Sequence, residues 1–231
     1  MKFNVNQQDL QQALSYCQGV IEKRSTLPIL SNVLLNVDSS KLTITATDLD
    51  LIFIHKIENI EVETEGKTTT TSSIMYDIVR KFSSGKKINF SNVEGNKIHL
   101  ETEKSNFNLN CMSANEFPLT DENFNDNEFI LNAKQLLKLM NKCKFSISND
   151  ETRHYLSGIY FHQTEFEDKN YLTAVATDSH RMSISKIRLE QKIDFEPIIL
   201  PKKTIFQLCS LLDNYDGNVK ISNVKSKIKF E

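Results

Sequence analysis

The sequence predicts a mixed α+β chain made of two tandem copies of one unit, each with two helices backed by antiparallel strands. Three observations carry that prediction. Short strand-like runs alternate with two helical stretches in each half. Matching residues recur in order, 126 to 131 positions apart. Positive charge gathers on the helical stretches while the rest of the chain is acidic.

In the first half, Phe3-Asn4-Val5 alternates as a short strand. Gln7 to Arg24 then reads as a helix, with Leu10, Ala13, Leu14, Cys17 and Ile21 at helical spacing. Leu30 to Val37 and Leu42 to Ala46 read as strands joined by a turn at Asp38-Ser39-Ser40. Leu49 to Ile60 alternates weakly as another strand. Ser72 or Ser73 is the expected N-cap of a helix over 74–82, with Ile74, Ile78 and Phe82 on one face and Gly85 as its stop. Lys87 to Phe90, Lys97 to Thr102 and Phe107 to Met112 form a meander, with turns at Glu94-Gly95-Asn96 and Lys104-Ser105-Asn106.

Phe117 to Asn127 is polar, acidic and aperiodic, and is the expected linker. Domains are therefore expected over 1–126 and 127–231. The pattern then restarts: a strand at Phe129-Ile130-Leu131, a helix from Lys134 to Lys144, and strands from Leu156 to His162 and Tyr171 to Val175. Pro201 opens the last helix, whose apolar face is Ile205, Leu208, Cys209 and Leu212, and Gly217 stops it. Val219 to Val224 and Lys227 to Phe230 read as strands. The anchors of the repeat are Phe3 with Phe129, Leu30-Ser31 with Leu156-Ser157, Ala46-Thr47-Asp48 with Ala176-Thr177-Asp178, and Ser91-Asn92-Val93 with Ser222-Asn223-Val224. Glu101 pairs with Glu231. The first copy continues through a further strand, so the second is expected to lack its closing strand and to leave a sheet edge unpaired.

Net charge is −2 over 231 residues. That average hides +8 on the four helical spans and −10 elsewhere. Lys134, Lys138 and Lys142 are four apart and line one helix face. Arg80 lies near the end of the second helix, and Lys202 and Lys203 at the start of the fourth. A basic face on an acidic body can track a polyanion's phosphates without reading its sequence. Solvated amphipathic helices with ordinary lysines are the alternative at this stage.

Several chemistries are disfavoured. No phosphate-cradling glycine loop is present. The five histidines lack metal-ligand spacing with cysteine or acid pairs, so neither a metal nor any cofactor is expected. The four scattered cysteines fit a reduced, cytoplasmic protein. Asp178, Ser179 and His180 hold the residue types of a hydrolase triad, but adjacency argues against convergent geometry. Asp48 and Asp178, just after strands, read more simply as turn-capping residues. Arg153-His154-Tyr155 could stack on bases or cover the core.

Four stretches then point to a family. Arg24-Ser25-Thr26-Leu27-Pro28-Ile29-Leu30, Ala46-Thr47-Asp48-Leu49, Arg153-His154-Tyr155-Leu156-Ser157-Gly158 and Ala176-Thr177-Asp178-Ser179-His180-Arg181 stand in order at the family's separations. With them the whole chain resembles the bacterial DNA sliding clamp, the beta subunit of DNA polymerase III. The resemblance implies tandem clamp domains with helices on one concave face, the first complete, the second lacking its last strand and a third absent. It implies a non-catalytic processivity factor that encircles duplex DNA and tethers the replicative polymerase, and a shortened form not expected to close a ring. The implied partners are duplex DNA without sequence preference, polymerase III subunits and the clamp loader through short apolar peptides, and a second copy head to tail. No membrane is implied. Arg24, His154 and Tyr155 are implied at DNA, beside the lysine-bearing helices. The partner-peptide pocket maps onto Arg153, Leu156, Thr177, Ser179, His180, Arg181 and Met182. Ser179 stands where glycine is common, Met182 where leucine is common and Asp150 where glutamine is common. Phe107 and Leu109 match the family's apolar pair at the ring joint. A DNA-binding or adaptor module that reuses the fold without forming a ring is the remaining alternative.

Overall fold

The computed structural model describes residues 1–22, 26–119, 124, 128–150, 152–224 and 227–231. The chain divides into two compact units, Met1–Thr120 and Asp121–Glu231. The sequence pattern places the joint at 126/127. Both units are α+β, with helices packed on antiparallel sheets.

In the first unit, β1 (Lys2–Asn6) leads into α1 (Gln7–Cys17). A 3-10 turn, Pro28–Ser31, opens β2 (Asn32–Asp38), followed by β3 (Lys41–Thr47), β4 (Ile52–Ile57), β5 (Glu61–Thr64) and β6 (Gly66–Thr71). Then come α2 (Ser72–Val79), β7 (Lys87–Val93), β8 (Lys97–Thr102) and β9 (Ser105–Met112). All nine strands form one sheet in the order β4-β3-β2-β6-β9-β8-β7-β1-β5. The strand β9 is the seam: residues 105–110 pair with β8, while Cys111 and Met112 pair with Thr70 and Thr69 of β6.

The second unit repeats this plan with β10 (Glu128–Asn132), α3 (Ala133–Asn141), β11 (Gly158–Phe166), β12 (Lys169–Thr177), β13 (Met182–Arg188), β14 (Ile198–Pro201), α4 (Lys202–Leu212), β15 (Asn218–Val224) and β16 (Lys227–Phe230). Its strands form two sheets, β10-β15-β16 and β13-β12-β11-β14. These correspond to the two halves of the nine-stranded sheet, without counterparts of β5 and β9 among the described residues.

Asparagines start the first helix of each copy. The Asn6 side chain accepts from the Gln8 N–H, and Asn132 accepts from Lys134 and Gln135, satisfying donors that the helix leaves unpaired. Apolar stripes then seat each helix. Leu10, Ala13, Leu14 and Cys17 of α1 are fully buried, as are Ala133, Leu136, Leu139 and Met140 of α3. Truncating such a leucine to alanine costs roughly 2–5 kcal/mol.

Some expectations change. The first helix ends at Cys17, not Arg24; Val20 and Ile21 remain buried, but in turns that follow it. Leu30 and Ser31 lie in the 3-10 turn rather than in a strand. Thr71, not a serine, caps α2, and it does so without a side-chain bond. The buried face of α2 is Ser72, Met75 and Val79, while Ile74 is 51% exposed. Phe117 is no linker residue; it is buried with Ile29, Leu30 and Leu34 in a second small core. The strands β5, β6, β13 and β14 were not expected.

Candidate partner-peptide site and nucleic-acid face

Both Ala-Thr-Asp stretches end a strand in the same turn. At the first, Thr47 Oγ1 accepts from the Leu49 N–H at 3.0 Å, and Asp48 Oδ1 accepts from Asp50 and Leu51. At the second, Thr177 Oγ1 accepts from the Ser179 N–H at 3.2 Å, and Asp178 Oδ1 accepts from His180 and Arg181, each at 3.0 Å. Leu49 and Ser179 both take left-handed backbone, at φ +82° and +79°. The turn is a device of the repeat, and its second copy carries different side chains.

In that copy the turn is fastened from three sides. The Thr177 hydroxyl donates to the Arg181 carbonyl at 2.7 Å. Arg181 Nε donates to Asp178 Oδ2 at 2.9 Å, and its guanidinium lies over the Phe145 ring, 5.5 Å from the centroid. Arg153 reaches across from before the 3-10 turn His154–Leu156 and donates from Nη1 to Ser179 Oγ at 2.8 Å. Met182 pairs with Thr177 in the β12–β13 ladder and is 63% exposed. The backbone N–H groups of His180 and Arg181, and then the Arg181 side chain, hold the Asp178 carboxyl below its ordinary value.

Asp150 organises the other wall. It accepts from the Thr152 hydroxyl at 2.6 Å, the Thr152 N–H at 3.0 Å and Arg153 Nε at 2.7 Å, and its pKa is lowered first by the Thr152 bonds. This acid, which stands where glutamine is common, holds Arg153 in place. Gly158 follows because a Cβ there would lie 2.3 Å from the Leu200 carbonyl oxygen. Sequence reasoning missed Phe145, whose place under Arg181 has no local signal. It also missed the role of Asp150, for which the Asp-x-Thr-Arg spacing of an Asx turn was a usable sign.

The geometry is not that of a hydrolase. Ser179 Oγ is held by Arg153, Asp178 by backbone and arginine, and no hydrogen bond joins the His180 ring to either among the described residues. The same stretch brings cations, a thioether and short hydroxyls together at the surface, with Ser179, His180, Arg181 and Met182 exposed.

The residues expected at nucleic acid fall in both halves of the sequence. Lys134, Lys138 and Lys142 are exposed along α3, which packs against α4. Lys134 is paired with Asp216 at 2.6 Å, whereas Lys138 and Lys142 have no acidic partner among the described residues. Lys202 bonds the Asn149 side chain, and Lys203 follows it in the first turn of α4. His154 and Tyr155 are exposed, Tyr155 at 67%. Arg80 caps α2, pairs with Asp77 at 2.9 Å and lies over Tyr76. Arg24 lies outside the described residues. At the expected joint, Phe107 is 39% exposed against Phe82, while Leu109 is 7% exposed and belongs to the core of the first unit. No helix is long and apolar enough to cross a membrane, and no group of metal-ligating side chains occurs, among the described residues.

Family models decide what these features belong to. The DNA polymerase III beta subunit N-terminal domain matches residues 1–121, and the central domain of the same subunit matches residues 130–231. The chain belongs to the DNA polymerase III beta-subunit family. It is 31% identical to the beta sliding clamp of Caulobacter vibrioides over 233 residues, which is all of this chain and 62% of that relative. Against the Escherichia coli beta sliding clamp the identity is 30% over 229 residues, 99% of this chain and 61% of the relative. A solved Caulobacter crescentus pol III beta structure matches with a TM-score of 0.94 at 31% identity, over 100% of this chain and 62% of that one. A Bartonella birtlesii sliding clamp bound to griselimycin matches with a TM-score of 0.94 at 33% identity, over 100% and 62%. The chain thus spans less than two thirds of the length of these beta-subunit relatives.

Proposed function

We propose that the chain serves as part of a sliding clamp, a non-catalytic processivity factor that encloses duplex DNA and tethers the replicative polymerase. The observation that carries this reading is the unbroken succession of two clamp-family domains along the chain. Enclosure replaces tight binding. Weak attraction between exposed lysines and phosphates suffices and permits sliding, because it reads no base. Lys138 and Lys142 supply that attraction directly. Lys134 and Arg80 first exchange an exposed acidic neighbour for phosphate, a small cost because exposed ion pairs contribute little. Lys202, Lys203, His154 and Tyr155 of the second unit are proposed to add to that attraction, and Arg24, outside the described residues, is proposed at DNA with them. Tethering raises the local concentration of a bound enzyme at the primer end.

Partner peptides, from polymerase III subunits and the clamp loader, would seat against Leu156 and Met182. Arg153, Thr177, Ser179, His180 and Arg181 would bond their backbone and polar side chains. The flexible Met182 thioether suits several apolar shapes. Phe107, with Leu109 behind it, is the proposed contribution of the first unit to a head-to-tail joint with a second copy.

Retention on a nicked circular duplex, with a clamp loader to assemble the ring, tests the function. An enclosing protein stays on the circle and runs off once the circle is cut. Equal retention on circular and linear DNA would show surface binding instead.

A further inference from the structure

A recess at the start of α1 is lined without a charged side chain. Gln7, Gln8, Gln11, Gln12, Ser15 and Ser84 enclose about 400 Å³ there. At the matching places of α3, 126 positions on, Gln8, Gln12 and Tyr16 become Lys134, Lys138 and Lys142, and Gln11 becomes Leu137. The first copy thus carries carboxamides and a phenol where the second carries cations. Two of these carboxamides already have partners: Gln8 Nε2 donates to Ser84 Oγ, and Gln12 Nε2 donates to the Tyr16 hydroxyl at 3.3 Å. Gln7 and Gln11 are not saturated. Gln7 is 2% exposed, and its Nε2 donates to the Val79 carbonyl at 2.9 Å and to Gln11 Oε1 at 2.7 Å. Its buried Oε1 accepts nothing among the described residues. Gln11 spends its oxygen on Gln7 and has no acceptor for its Nε2 among the described residues. A buried acceptor left unmet carries the full cost of its desolvation, and native interiors keep few of them.

We infer that this recess takes an unpaired nucleobase, adenine by preference, from single-stranded nucleic acid; the inference rests on the proposed place of the helices at DNA. Gln7 Oε1 offers an acceptor and Gln11 Nε2 a donor. Their complement is a planar edge that sets an N–H beside a ring acceptor. Adenine presents that edge in its N6 amino group and N7, and a carboxamide pairs with it through two bonds. Gln11 is only partly buried, and turning its side chain outward opens Gln7 to the base. Tyr16, one turn beyond Gln12 and bonded to it, adds an aromatic ring beside the recess, on which a base can stack. With no cation in its lining, the recess gains nothing from phosphate, so it holds a base by its edge while the lysines of α3 attract the backbone.

Adenosine is the probe, because it has no phosphate for a lysine to attract. Titrated into the isotope-labelled 231-residue chain, it should shift the side-chain amide resonances of Gln7 and Gln11, saturating at one per chain, and leave α3 unmoved. Thymidine should bind about tenfold more weakly. Gln11→Glu keeps the oxygen that Gln7 uses and loses the donor; Gln11→Leu takes the residue that stands at the matching place of α3. Each should weaken adenosine binding about tenfold. No shift at the solubility limit of adenosine would overturn the proposal. So would equal binding of thymidine, or unchanged adenosine affinity in both Gln11 variants. Loss of retention on circular DNA with adenosine binding intact would instead count against the clamp function alone.

Discussion

Arg153 donates a hydrogen bond to Ser179 at 2.8 Å, tying the 3-10 turn that precedes β11 to the turn between β12 and β13. Ser179 holds that bond from left-handed backbone, which non-glycine residues adopt at a cost of about 1 kcal/mol. Ser179→Ala and Ser179→Gly both delete the hydroxyl, but only glycine also relieves the backbone. Urea unfolding should therefore find the glycine variant more stable than the alanine variant by about 1 kcal/mol.

Asp178 makes the same turn sensitive to acid. Its folded pKa is depressed, so its stabilisation is complete above the ordinary carboxylate range and is lost as pH falls through the lowered folded value. Amide exchange of His180 and Arg181, corrected for intrinsic rates, should rise as pH drops below that range. Asp178→Asn should leave a profile with no such step.

The asparagine caps should act alike and independently. Asn6→Ala and Asn132→Ala should each lower stability by about 1 kcal/mol. Because each cap sits in its own unit, calorimetry of the double variant should show the sum of the two losses.

Burial pushes the Cys17 thiol up to about 12. At pH 8 it should resist thiol reagents in the native chain and react at once in denaturant. Fast native labelling of Cys17 would mean that the α1 packing is wrong.

The lysines of α3 should set the salt dependence of DNA binding. Neutralising Lys138 and Lys142 to glutamine should flatten the log–log salt slope by about 0.9 per lost phosphate contact. Lys134→Gln should do less, since its partner Asp216 already offsets part of the charge.

The repeat and the helix-bearing halves were legible because buried faces impose periodicity, as along α1 and α3. What escaped had no such pattern, or too much of it. The threonines of β6 read as polar, yet Thr68, Thr69 and Thr70 are buried mid-sheet, and two of them donate side-chain bonds to β9. On α2, Ile74-Ile78 and Met75-Val79 are adjacent apolar stripes; Met75 and Val79 are fully buried, Ile78 is partly buried and Ile74 is exposed. Met182 to Arg188 alternates clearly as β13, yet the sequence reading takes from it only Met182, as a pocket residue. Within the site, residue types and the turn-capping role of Asp178 could be read. The convergence of Arg153, Ser179, Arg181 and Phe145 could not, because it joins residues from separate elements.

Photo-crosslinking to duplex DNA tests the central claim most directly. A benzophenone amino acid placed singly at 138 on α3 or at its C-cap 142, and at the exposed sheet positions 54 of β4 or 184 of β13, reports whether helix or sheet residues meet DNA. Crosslinks from 138 and 142, with none from 54 and 184, are predicted. Crosslinks from the sheet positions and silence from the helix would contradict the account.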